Sequence, residues 1–370
     1  MTVWLSELIF YLVGKVKRTM LVKQHIDNTL QLIEQGYVIE HYLFQEMTWS
    51  EQSISGGRFE KCLFYNVIFS DLTIEDCFFE NCRFINCQWN NVSLIENVFV
   101  ESEFQNCFFK QAKALNINYQ LCDLNQCLFI DSRLELMTVA YGKQVLLEFK
   151  RTIGDKVYLL ESESISLDFQ KSDFSTLVLN SFDFKDFKVE ETRLKNLIAM
   201  QANGDGFSFA GLDLSQAQLT EGSFVGADFS GCNLEQTCFK SCDLSEANFT
   251  GTDCKYTLFI DTIANKVDFS NSVLNAANFS QSLLFSSKFN SCQLDNAIFQ
   301  RCDLKFASFQ GSKFYFADLS YSNLSDVNFT NCTFHHSQFH GTVQHNTKFS
   351  SKIGVLGNDQ ELMEADVWML

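Results

Sequence analysis

The chain has 370 residues, 28 Lys and Arg against 45 Asp and Glu, and a net charge of −17 at pH 7. That acidity excludes simple phosphate binding, which needs clustered Lys and Arg, and favours solubility or a basic partner. Proline is absent and Phe numbers 39, which fits an uninterrupted β stack, because each Pro would remove a backbone donor from a ladder.

Residues 1–48 are predicted to be a mainly helical cap. The run at 3–13 (VWLSELIFYLV) is too short to span a bilayer. Its basic cluster, Lys15, Lys17 and Arg18, follows the apolar run instead of preceding it as in a signal peptide. Leu21, Ile26, Leu30 and Ile33 recur at near-helical intervals before Gly36. The helix is expected to shield the open edge of the first coil, or else to dock a membrane surface or a partner.

From residue 49 the chain keeps a five-residue phase, which neither helix spacing nor strand alternation produces. Between 227 and 249 the large residues are Phe229, Leu234, Phe239, Leu244 and Phe249, each preceded two positions earlier by a small one: Ala227, Cys232, Thr237, Cys242 and Ala247. A twenty-residue period is nested in the first, through Trp49, Phe69, Trp89, Phe109, Phe129, Phe149 and Phe169 to Phe229 and on to Phe349, with Val189 the one non-aromatic member. Such short periods mark a solenoid. Four units per turn predict a square coil whose inward corners stack into separate ladders.

Residues 49–139 form a first predicted lobe. At 140–166 the pattern fails, with Gln144, Gly154 and Ser164 at central positions. The reading preferred is one continuous stack with degenerate coils, since Phe149 and Phe169 keep the twenty-residue phase; an extruded hairpin turning near Gly154 and Asp155 is the alternative. Asn203-Gly204-Asp205-Gly206 predicts a small bulging loop. The second lobe, 167–349, is cleanest after Gly206. Residues 350–370 are expected to cap the last coil, with a short helix ending in Val367, Trp368, Met369 and Leu370, an apolar tail that is also a candidate dimer contact.

The unit resembles the A-(D/N)-L-x-x repeat of the pentapeptide-repeat family. The resemblance implies an all-β solenoid, a right-handed quadrilateral β-helix with the central and small residues inward. Some members act as adaptors or effectors beside bacterial secretion systems. Others bind and protect DNA gyrase, a type II topoisomerase, by mimicking DNA, and commonly dimerise through their C-terminal ends.

The side chains fit that scheme. Twelve of the fourteen Cys take the small inward position, where Cys serves as a small hydrophobe, so reduced thiols and a cytoplasmic home are expected. Ten Asp (168, 173, 183, 213, 228, 243, 253, 268, 303 and 318) sit just before a central residue. There they belong to the repeat itself and say little about a partner. His335, His336, His340 and His345 are expected to be solvated and dispersed, without binding metal. No cofactor motif is present, and no nucleophile elbow, P-loop or zinc-protease motif.

Surface recognition remains. One outward column reads Phe78, Val98, Asn118, Thr138, Tyr158, Val178, Ile198, Gln218, Cys238, Leu258, Asn278, Ile298 and Asp318. Its apolar members, Phe78, Val98, Tyr158, Val178, Ile198, Leu258 and Ile298, form the candidate partner-binding stripe. The expected function is a non-enzymatic, acidic protein-interaction scaffold or adaptor with a protein partner. A DNA-mimicking gyrase binder and a purely structural solenoid are the alternatives.

Overall fold

The computed structural model describes residues 22–23, 26–160, 163–164 and 166–368. The backbone winds through four walls per turn, and the pairings between turns are parallel and, apart from the closing strand Val355–Leu356, in register by twenty residues: Phe59 pairs Phe79, Phe64 pairs Phe84, Phe69 pairs Trp89 and Ile74 pairs Leu94. From Ile39 to Phe349 this makes a rod of about fifteen turns, on the order of 70 Å at the strand spacing of a sheet.

Each turn buries one large residue per wall, and like residues stack. Phe209, Phe229 and Phe249 lie 4.7 and 4.8 Å apart, centroid to centroid. Phe44, Phe64 and Phe84 form a second ladder at 4.7 and 4.6 Å. Such offset ring pairs add ~0.5–1.5 kcal/mol each beyond the area they bury. At Val189 the ladder is mended sideways, Phe187 reaching Phe169 at 5.4 Å.

The corner residue after most walls has positive φ, for example Lys61 at 52°, Gln111 at 54° and Gly231 at 66°. That conformation closes a turn in so few residues. Its N–H then bonds the next coil, as in Lys61 N–H to the Glu80 carbonyl at 2.9 Å. The small inward position stitches coils in the same way at most sites where it is polar. Ser132 Oγ accepts from the Ala112 N–H at 3.1 Å and donates to the Phe109 carbonyl at 3.0 Å. This is why Ser, Thr and Cys replace Ala there without leaving a buried polar group unsatisfied.

Two regimes of turn divide the rod. Through the early coils most walls are strands of three or more residues, whereas from Leu197–Ile198 to Lys313–Tyr315 they shrink to single bridges and the corners become hydrogen-bonded turns. There the Cys232 N–H meets the Phe229 carbonyl at 3.1 Å, with Gly231 at the third position as a type II turn requires.

The middle of the chain stays in the stack. Ile153–Leu160 is one strand paired in parallel with Arg133–Ala140, so no hairpin protrudes. Gly154 is inward: a Cβ there would come within 2.3 Å of the Phe174 ring in the next coil. The loop expected at 203–206 is absent for the same reason. Gly204 faces the Phe224 ring, and its N–H bonds the Ser223 carbonyl at 2.7 Å.

Both ends depart from expectation. The stack begins at Ile39, inside the stretch assigned to the cap, with Ile39 paired to Phe59 and Phe44 stacked on Phe64. Tyr37, Tyr42 and Met47 fill the positions that are small elsewhere, which hid the phase. Helix α1 (Ile26–Glu34) lies on this end, packing Ile26, Leu30 and Ile33 against the core, and Gly36 ends it at φ 77°. The segment 3–13 and Leu21 fall outside the described residues. At the far end the last coil is covered by Val355–Leu356, paired with Ser337–Gln338, rather than by helix α2 (Gln360–Trp368), whose side chains at 361–365 are exposed. Met369 and Leu370, and the side chains of Val367 and Trp368, lie outside the described residues.

Candidate interaction face

The predicted column is one straight row. Phe78, Val98, Asn118, Thr138 and Tyr158 are successive register partners, continued through Val178 and Ile198 to Gln218, Cys238, Leu258, Asn278, Ile298 and Asp318. The row is half-buried in the pleat. Leu258 is its most exposed large apolar member at 38%, and Val178, at 6%, is too covered to offer much contact.

Sequence reasoning missed the second row of the same wall, two residues on. Val100, Ala140, Leu160, Met200 and Ile260 lie there, and the signal was the same spacing of twenty. Taken together, the outward pairs from Val98 and Val100 to Ile298 and Gln300 carry a single charge, Lys240. On the opposite wall ions are frequent, with Lys150 bridging Glu148 at 2.6 Å and Lys288 bridging Asp268 at 3.2 Å. Exposed apolar corners flank the uncharged wall: Leu121 and Tyr141 on one side, Leu136 and Tyr256 on the other.

The acids that precede central residues do local work. Asp228 Oδ1 accepts from the Ser230 N–H at 3.0 Å and from Asn248 Nδ2 in the next coil at 2.9 Å. Asp213 and Asp303 repeat this with Asn233 and Asn323 at 3.0 and 3.1 Å. Burial raises the pKa of Asp268, but bonds from Ser270 and the Lys288 ammonium outweigh it and hold the carboxyl below its usual range.

The fourteen cysteines are free, and all but Cys238 are buried. Burial pushes eleven of the thiols up, Cys77 to about 11 and Cys302 to about 12, which removes the thiolate that chemistry would need at those sites, whereas its hydrogen bond with Cys82 lowers Cys62. The histidines divide. His335 and His336 are exposed and adjacent, with Nδ1 atoms 3.0 Å apart and the Phe316 ring stacked on His336. His340, expected in solvent, is 2% exposed and accepts the Asp359 N–H at 3.0 Å, because the chain beyond 352 folds back over it. Among the described residues no three His, Cys, Asp or Glu are placed to hold a metal ion, and no helix is long and apolar enough to cross a membrane.

These features define a β-solenoid of five-residue units, four to a turn. Residues 206–281 match the family described as pentapeptide repeats (8 copies), and 282–352 match the pentapeptide repeat region; residues 206–352 are pentapeptide repeats. No curated protein matches the chain. Solved structures similar to it include HetL, a pentapeptide repeat protein involved in heterocyst differentiation regulation from the cyanobacterium Nostoc. It is 18% identical over 65% of this chain and 92% of HetL, with a TM-score of 0.37. QnrB1, a plasmid-mediated fluoroquinolone resistance protein, is 20% identical over 52% of this chain and 96% of its own, with a TM-score of 0.36. A pentapeptide repeat protein of the Arabidopsis thaliana thylakoid lumen is 19% identical over 34% of this chain and 66% of its own, with a TM-score of 0.20.

Proposed function

We propose that the protein is a non-enzymatic interaction scaffold, a rigid acidic rod that offers one uncharged wall to a protein partner. The observation that carries this is the wall itself: over eleven coils of a chain of net charge −17, its outward pairs include one ion, Lys240. A wall without charge costs little to desolvate, whereas the ion-bearing walls resist burial. An adaptor role beside a bacterial secretion system fits this surface. The free buried thiols favour a reducing compartment, the cytoplasm. The test is capture of a protein partner by the full chain and by a Leu258→Lys, Ile298→Lys variant. Loss of capture with an unchanged circular dichroism melt supports the reading, and equal capture by both overturns it.

A second reading, a DNA-mimicking gyrase binder, draws on the net charge and the rod shape. Supercoiling by gyrase with added protein decides it: neither inhibition nor protection from quinolones removes it.

A further inference from the structure

We infer that the occupant of the uncharged wall is a second copy of this chain, lying antiparallel with Ile198 against its own counterpart. The inference rests on reading that wall as an interface, and it names the partner. Two rods of net charge −17 repel one another, and the wall centred on Ile198 is where two copies meet without opposing carboxylates.

The sequence along the wall is self-complementary in this register. A two-fold axis through the Ile198 coil, perpendicular to the rod, brings residue n over residue 396 − n in that column. Val98 then faces the partner's Ile298, and Asn118 faces the partner's Asn278. The flanking corners follow the same rule. The exposed Leu136 faces the partner's Tyr256, and Glu101 faces the partner's Arg301, giving two ion pairs per dimer. The one ion within the wall, Lys240, meets the partner's Leu160, over which its aliphatic stem can lie. Among the described residues no like charges stand directly opposite one another from Val98 to Ile298.

The area suffices. Three wall residues and two corner residues span ~16 Å, and eleven coils span ~50 Å, so the footprint is roughly 800 Å² per copy, that of a standard stable interface. Isologous two-fold pairing is the commonest form of association.

The full chain is measured by light scattering after gel filtration, at roughly 100 µM, where micromolar dimers persist. Twice the chain mass is expected, and it should survive a rise from about 0.05 to about 0.5 M salt, because screening relieves the repulsion of like-charged rods. Ile198→Lys, which sets two ammonium groups together on the axis, should give the monomer with an unchanged melt. Glu101→Arg should shift the equilibrium toward monomer, and Glu101→Arg with Arg301→Glu should restore the dimer. A dimer indifferent to Ile198→Lys and to the charge swap uses another surface and overturns the inference. A wild-type monomer also overturns it. In that case loss of partner capture by Ile198→Lys leaves the wall as an interface for another protein, and unchanged capture removes both readings.

Discussion

Gly154 and Phe174 share one inward column, and the ring of Phe174 occupies the space a side chain at Gly154 would fill. A Cβ at 2.3 Å from a ring carbon forces the ring off its rotamer or the coil out of register. Gly154→Ala is therefore expected to destabilise the rod by about 1–3 kcal/mol. Phe174→Leu in the same chain should return part of the loss. Urea unfolding of the single and double variants measures both, and additive losses would mean that the two residues do not share the space.

That pair also shows where the sequence was legible. The five- and twenty-residue periods carried the fold because one large residue per wall stacks on its equivalent a turn away. Gly154, Gly204 and Gln144 broke the written pattern but not the coil. A turn signal in sequence is local, whereas the compensation for Gly154 is a Phe twenty residues on. The early start at Ile39 was hidden likewise by Tyr37, Tyr42 and Met47. The outward column was legible as a register. The absence of charge from the whole wall emerged only when the row at Val100 and Leu160 was placed beside it.

Corner residues supply a second prediction. Gln111 is held at φ 54° with its N–H on the Ile130 carbonyl at 2.9 Å, a conformation that costs an ordinary L residue about 1 kcal/mol. Gln111→Asn should raise stability by about 0.5–1 kcal/mol, since Asn tolerates this region. Gly231→Ala, at φ 66° with open space beyond it, should lower it by about 1 kcal/mol. Denaturant midpoints with unchanged slopes check the two opposite signs.

The thiols predict a failure at alkaline pH. Cys122, Cys242, Cys292 and Cys302 are pushed up to about 12 by burial, and Cys232 to about 11, against about 8.5 in an unfolded chain. Above about pH 8.5 the unfolded state releases these protons while the folded state keeps them, so stability falls as pH rises. It is fully present below pH 8.5 and is lost on the way to about 11–12. The melting temperature should drop steeply across that window, and less so in a Cys292→Ala, Cys302→Ala variant. In the native protein at pH 8, a maleimide should label Cys238 first, since the other thiols are buried.

The acids give a prediction that separates structure from recognition. Asp228 caps its own turn and holds Asn248 in the next coil, so Asp228→Ala leaves a backbone donor and a side-chain amide without their acceptor. The expected loss is about 1–2 kcal/mol, the usual effect of removing such a cap. Asp228→Asn, which keeps an oxygen acceptor while removing the charge, should recover most of it. If the carboxylates served as a phosphate-like surface, the Asn variant would instead weaken partner binding while leaving stability near wild type. Thermal melts and partner titrations on the same two variants distinguish these outcomes. The bonds from Ser230 and Asn248 predict that stability will follow the acceptor and binding will ignore the charge.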